Sequence, residues 1–386
     1  MGAIGGAGRC DRPARLTTLD GLRGWIMVLM ALDHAAYFIS NRHPSEFWGL
    51  PLPHYDHSIG FFTRWVTHVC APGFFFLMGL GMVLFHLVRR RINWSESKIL
   101  GHFVARGLLL VALQLAVENP AWMLVGASTS GSSAGSGSTL LIYAGVLYGL
   151  GTVMILCAAL LRLKTIYLIG VSLLAIMTTQ VLTLIFVQPQ NVDSLILTLL
   201  VLPGRSSGVL VYYPPIAWLG LSVLGMVFAR ELLRNQDRAY KGVLVASCVC
   251  LVLFAAVRTW GGFGNIHPPA SNSWISYLNV TKYPPSIAFL LLTMGINFFC
   301  LFAFSRGTRL LERWGPFLLT FGQSALFFYL VHLYLYALFG VILGPDSSTL
   351  TVYGGWLLGL VLLYPACQRY AVFRAHTPSG SIWRFF

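Results

Sequence analysis

Long apolar runs alternate with short polar or basic stretches along the whole chain. Runs of about 20 residues, enough to cross a hydrocarbon core, lie near 24–41, 66–88, 99–117, 140–161, 165–187, 209–229, 240–257, 285–305, 316–340 and 350–373. They predict an all-α fold, a polytopic membrane bundle of about ten transmembrane helices. A shorter apolar run, 195–202, reads as a re-entrant or interfacial piece. Cytoplasmic connections should hold most of the Lys and Arg. With the N-terminus inside, all of the 26 except Arg42, Arg64, Arg205, Arg258 and Lys282 fall on that side, so both termini are expected to be cytoplasmic. The chain then divides into a tail (1–18), a transmembrane domain (19–374) and a second tail (375–386). No internal repeat is evident, which disfavours a transporter built from inverted repeats.

Composition changes the picture mainly by exclusion. With 56% hydrophobic and only 10% charged residues, against about 25% charged in soluble domains, the chain is not a soluble globular protein. Its net charge of +14 is spread between the apolar runs, as membrane topology requires, and this argues against nucleic acid as a partner. The seven cysteines show no metal spacing and imply no disulfide framework. Residues 1–18 are Gly- and Arg-rich without an apolar core, unlike a cleavable signal peptide. The expected location is multi-pass in the plasma (inner) membrane of a bacterium or an endomembrane of a eukaryote. Among the outer loops, GASTSGSSAGSGST reads as flexible coil. The loop 261–284, next to Trp260, carries His267, Trp274, Tyr277 and Tyr283, as a lid, a sugar platform or an aromatic belt would. Asn279-Val-Thr fits a glycosylation sequon.

Candidate chemistry lies in the ionisable residues inside the runs. Asp33 and His34 sit in the middle of the first run, where burial costs several kcal/mol unless they are paired. At 1.5 Å per residue, Arg23 lies about 16 Å from His34, which places one at the inner face and the other near the midplane of a core roughly 30 Å thick. The same rise puts His68 about 6 Å below the outer boundary and His332 about 24 Å from the inner face. Three histidines and one carboxylate are thus expected to converge in a shared polar cavity; His57 and His54 in PLPHYDHS read either as its roof or as ordinary loop residues. A histidine with a neighbouring carboxylate makes a general base suited to acyl transfer. Successive helical residues point about 100° apart, so Asp33 has three readings: it orients His34, it orients His68, or it binds the acceptor. No metal-ligand spacing is present. Arg23 at the inner face offers a fork for the phosphates of an anionic donor.

The LDGLRG start followed by Arg23-x10-His34 resembles the signature of membrane acyltransferases of the acyltransferase-3 type. DGLRG…LMALDH, TRWVTHVCAPGFFFLMG, PPIAWLGLSVLG, KYPPSIAFLLLTMG and FGQSALFFYLVHLYL resemble, in order, blocks of the heparan-alpha-glucosaminide N-acetyltransferase catalytic-domain family, from residue 15 to about 340. The resemblance implies an enzyme that moves an acetyl (acyl) group from cytoplasmic acyl-CoA to a sugar amine or hydroxyl across the bilayer. Acetyl-CoA would be a co-substrate, with no tightly bound cofactor. The position matching Asp33 carries Asn in the lysosomal enzyme of that group, whose catalytic histidine falls in the loop before the second span. His57 or His68 would then take that role with His34 as partner. The expected assignment makes His34, Asp33 and His68 catalytic, Arg23 the donor contact, and Arg64, His332 and His57 acceptor contacts. Partners are acyl-CoA, a glycan or amino-sugar acceptor and the bilayer, with self-association left open. The rival readings are a proton-coupled transporter of a sugar or acyl-sugar, with Asp33 and His34 as the relay, and a family member that has lost catalysis and serves as a membrane interaction partner.

Overall fold

The computed structural model describes residues 14–41, 45–129, 142–186, 192, 194–344, 347–378, 381 and 383. Residues 1–13, Arg42 and the Gly/Ser tract beyond residue 129 lie outside the described residues. Among those described, nine helices are long and apolar enough to cross a membrane. They are α1 (Ala14–Ser40), α2 (Ser58–Arg91), α3 (Glu96–Leu124), α5 (Thr165–Phe186), α6 (Pro215–Arg234), α7 (Gln236–Trp260), α8 (Ile287–Arg306), α10 (Ala325–Leu343) and α11 (Thr349–His376). Two shorter helices, α4 (Val146–Leu160) and α9 (Pro316–Gln323), complete the set used below. The molecule is a polytopic, essentially all-α membrane bundle. The fourth apolar run is shorter as a helix than its sequence suggests, because residues 142–144 form a strand first. The ninth is broken at the buried Ser324 into α9 and α10.

The helix ends follow local chemistry. Ser95, Asn235, Ser286 and Ser348 accept hydrogen bonds from the backbone N–H three residues on, each occupying a donor that the first helical turn cannot satisfy. Pro215 and Pro316 open α6 and α9, where a missing N–H costs nothing. Inside α2 and α3, proline instead perturbs the ladder. Pro72 has no N–H for the carbonyl of His68, and the preceding turn, Val66–Val69, is a tight 3-10 turn. Pro120 likewise cannot bond Ala116, and Gln114–Glu118 widens into a π turn.

Burial separates the centre from the rim. In its most apolar window α1 is 78% buried, against 22% for α7, and α1 touches α2, α8, α9, α10 and α11. The rim helices expose aliphatic side chains such as Leu174, Val252 and Val361, as a lipid solvent permits. Where α1 crosses α9, a Cβ on Gly24 would strike the Leu318 carbonyl and one on Gly322 would strike the Asp20 carbonyl, so only glycine allows this approach.

The end opposite the basic clusters is built from loops. Strands β1 (Ile142–Ala144), β2 (Gly204–Ser206) and β3 (Val209–Val211) pair in the order β1-β3-β2, with Ile142 opposite Val209 and Gly204 opposite Val211. The first loop folds inward: the Trp48 N–H donates to Tyr283 O (2.8 Å) and the Lys282 N–H to Glu46 O (3.1 Å). The loop 261–284 is pinned by the buried Arg258. Its guanidinium donates to the carbonyls of Tyr277, His267, Ser276 and Asn279 and to Asn265 Oδ1, at 2.7–3.0 Å. Asn279 is buried and its Nδ2 donates to Pro53 O (3.0 Å), so the sequon is closed to a glycan in this fold.

Candidate active site

Asp33 and His34 are consecutive on α1, yet the structure sends them to different sites. Arg64 Nη1 donates to Asp33 Oδ1 at 2.6 Å. The rest of the same guanidinium forms a two-pronged pair with Glu46, Nε to Oε1 at 2.9 Å and Nη2 to Oε2 at 2.6 Å. The Thr67 hydroxyl lies 3.1 Å from Asp33 Oδ1 and 2.7 Å from Arg64 O. His68, held in the 3-10 turn, places Nε2 3.3 Å from Glu46 Oε1 but out of line for a hydrogen bond. Asp33, Glu46, Arg64 and His68 are all buried, as is the neighbouring Lys282. The two carboxylates, Asp33 and Glu46, are thus matched by the fixed cations Arg64 and Lys282, which is how a low-dielectric site tolerates them. Burial alone would raise the Glu46 carboxyl, but the Arg64 guanidinium and His68 hold it well below the ordinary range. Burial pushes the Tyr55 hydroxyl in the same loop upward.

His34 faces the other way. Its Nδ1 lies 2.6 Å from His332 Nε2 on α10, with the ring planes 19° apart and the centroids 4.9 Å apart. Two nearly coplanar rings joined edge to edge fit these numbers. His332 Nδ1 sits 3.0 Å from the carbonyl of Phe328, which can only accept, so that nitrogen carries the hydrogen. In neutral His332 the lone pair is then on Nε2, and the shared hydrogen belongs to His34 Nδ1. This leaves a lone pair on His34 Nε2, the arrangement of a general base. Around the pair stand Trp122 (5.3 Å, edge-on to His34), Tyr329 (6.3 Å) and Phe328 against His332 (5.3 Å).

Two cavities end at neighbours of this pair, one at Tyr329 and one at Asp33. The inner one, about 370 Å³, runs from Arg23, Arg106 and Arg374 past Met27, Met78 and Met82 to Tyr329. Arg23 Nη1 donates to Gly322 O (3.0 Å) and meets Asp20 Oδ1 (3.2 Å). Arg106 Nε is buried with no hydrogen-bond partner among the described residues. The outer cavity, about 450 Å³, is bordered by Asp33, Ser40, Thr63, Arg64, His54 and Tyr55.

The expected cluster of three histidines and one carboxylate is thus two clusters. His34 and His332 meet; Asp33 and His68 instead share the Arg64–Glu46 network. His57 is exposed at the start of α2 and joins neither. Asp33 is also not the one carboxylate in the apolar interior. Glu46 enters from the first loop, and Glu118 lies in the π turn of α3, 1% exposed. An acid ahead of Asn-Pro at the end of an apolar run was the available signal for Glu118; nothing in Ser45-Glu46-Phe47 distinguishes Glu46 from a solvated loop acid.

Residues 15–255 match the family model described as heparan-alpha-glucosaminide N-acetyltransferase, catalytic. No curated protein matches the chain. Asp33, His34, Glu46, Arg64, His68 and Glu118 fall inside the matched segment, and His332 lies beyond it.

Proposed function

The chain belongs to the heparan-alpha-glucosaminide N-acetyltransferase catalytic family and is a membrane acetyltransferase; from that premise we propose that it carries an acetyl group from acetyl-CoA in the inner cavity to a sugar amine or hydroxyl in the outer one. Family membership implies acyl-CoA as the co-substrate. The observation that carries the direction of transfer is that two cavities of opposite character end at neighbours of His34, the inner one at Tyr329, 6.3 Å from its ring, and the outer one at Asp33, the residue before it. The inner cavity offers three arginines at the end of the bundle that holds most of the basic residues, the expected cytoplasmic end. Guanidinium forks suit the phosphates of a CoA, and the methionine-lined remainder suits its uncharged arm. The outer cavity offers Asp33, Ser40 and Thr63 as polar contacts for a sugar.

In the proposed reaction His34 Nε2 takes the proton from the acceptor amine or hydroxyl as it attacks the thioester carbonyl. The new C–N or C–O bond forms, the C–S bond breaks, and the proton passes from His34 to the departing thiolate. His332 holds the tautomer through its own bond to Phe328 O. Asp33 is a binding group for the acceptor, positioned by Arg64, and His68 lies behind it in the ionic network.

The test uses purified protein in proteoliposomes, with labelled acetyl-CoA on the side of the basic loops and a glucosamine-type acceptor on the other. Label on the acceptor, lost in His34→Ala, is the expected result. Acceptor movement driven by pH without acetyl-CoA consumption would overturn the reading in favour of transport. Label retained on denatured protein would make His34 a nucleophile instead of a base.

A further inference from the structure

Asp33 is committed to Arg64 and Thr67, so the His34–His332 pair needs its counter-charge from elsewhere. Glu118 is the remaining carboxylate buried in this part of the bundle, and it forms no ion pair among the described residues. Its Oε1 accepts from Trp122 Nε1 (3.2 Å), and Oε2 is buried without a partner among the described residues. Trp122 packs its ring edge-on against His34 at 5.3 Å. Tyr329 is the second neighbour: its hydroxyl is buried near Glu118 without a hydrogen bond among the described residues, and its ring packs 6.3 Å from His34 and 5.4 Å from His332. Of the side chains that wall in the imidazole pair, Trp122 is thus held by this carboxylate and Tyr329 lies beside it.

Two features of the fold place Glu118 where it stands. It sits at the start of α4, where Gly145 has no capping side chain and lies against Glu118 Oε1 and Gln114 Oε1. A helix N-terminus carries partial positive charge, and the Tyr148 N–H donates to the neighbouring Gln114 Oε1 (3.2 Å). The π turn that aims Glu118 inward is a costly backbone form found often at functional sites.

We infer that Glu118 is a positioning residue for acetyl transfer, the carboxylate that offsets the positive charge appearing on His34 when it accepts the acceptor's proton. The inference rests on the proposal that His34 is the base. Glu118 acts through the field it sets across Trp122 and Tyr329, without touching substrate. The other titratable or charged groups facing the two sites are His332 and Tyr329 on α10, Tyr37 and Asp33 on α1, Tyr143 on β1, and Arg64 with Glu46 beyond Asp33.

The test compares pH–rate profiles of wild type, Glu118→Gln, Gln114→Ala and His34→Ala with one acetyl-CoA and one glucosamine acceptor, so that the acceptor's own titration is common to all. Glutamine keeps an oxygen for Trp122 and removes only the charge. Without the carboxylate the protonated base is less favoured, so the midpoint of the ascending limb in Glu118→Gln should move down by about one pH unit, as expected for a charge several ångströms away at an effective dielectric of about 20. The turnover number should fall severalfold, up to about tenfold for a one-unit shift, with KM for acetyl-CoA unchanged. Gln114→Ala, which removes a helix cap but no charge, should lose thermal stability and keep the wild-type midpoint. Glu118→Asp, which draws the charge back by one methylene, should give an intermediate midpoint and serves if the glutamine variant does not fold. A wild-type midpoint in Glu118→Gln, or in Glu118→Asp where that variant has to serve, overturns the inference while leaving His34 as base. Full activity in His34→Ala overturns both.

Discussion

The two sites built from Asp33 and His34 solve the same problem by opposite means. On one side of α1, charge is neutralised by charge: Arg64 is shared between Asp33 and Glu46, and His68 and Lys282 complete the group. On the other side charge is held one side chain back: two imidazoles share one hydrogen among Trp122, Tyr329 and Phe328, with Glu118 behind Trp122. The first arrangement is locked, since moving any member strands a buried ion. The second is poised, because the tautomer set by His332 puts the lone pair of His34 on Nε2. The comparison teaches that an Asp-His dipeptide inside an apolar run is not by itself a catalytic dyad, since neighbours on a helix face different partners.

If the ionic side is structural, breaking it should remove the protein. Arg64→Ala leaves two buried carboxylates without their cation, and a loss of about 3–5 kcal/mol is expected, read as loss of monodisperse protein in detergent. Wild-type recovery of that variant would mean water reaches the cluster. If the imidazole side is chemical, His34→Ala should cost about 10²–10⁴ in turnover while the melting temperature in detergent stays near wild type. A variant that loses both together would erase the contrast.

A smaller effect should separate the sites by pH. Glu46 is held below its ordinary value of 4.5, so its stabilising pairing is fully present above that value and is lost as the pH falls through the depressed one. Melting temperature should therefore drop on acidification below about 4.5. Glu46→Gln should be less stable at neutral pH and flatter over the acid range; equal slopes would assign the acid transition to another group. The smallest effect belongs to Thr67→Val, which removes one hydroxyl near Asp33 for about 1 kcal/mol. An unchanged melting temperature there would show that the hydroxyl serves only Arg64 O.

The bundle was legible because a transmembrane helix announces itself in one continuous stretch of sequence. The small sheet was not: its strands have three residues each, and β1 finds β3 across a separation that no local pattern encodes. Depth along the helices anticipated that His34 and His332 could meet, because rise per residue is fixed once the spans are known. Facing was not available from depth, and facing is what assigns His68 to Glu46. Glu46 itself reads as a solvated loop acid until the backbone of 46–48 pairs with 282–283 and carries it inward. The π turn at Gln114–Glu118 follows from Pro120 only after the helix is known to continue past it.

The glycine crossing of α1 and α9 bears on redesign of the inner cavity, the proposed donor site. Arg23 and Gly322, which both border the inner cavity, belong to helices held apart by backbone alone at Gly24 and Gly322. There is no side chain at that contact to trim, so the spacing of these two helices is already at its minimum and any substitution there can only widen it. An engineer wishing to enlarge that cavity would turn instead to its lining side chains, among them the unbranched methionines at 27, 78, 82 and 154. The frame that carries Arg23 would stay where the two glycines hold it.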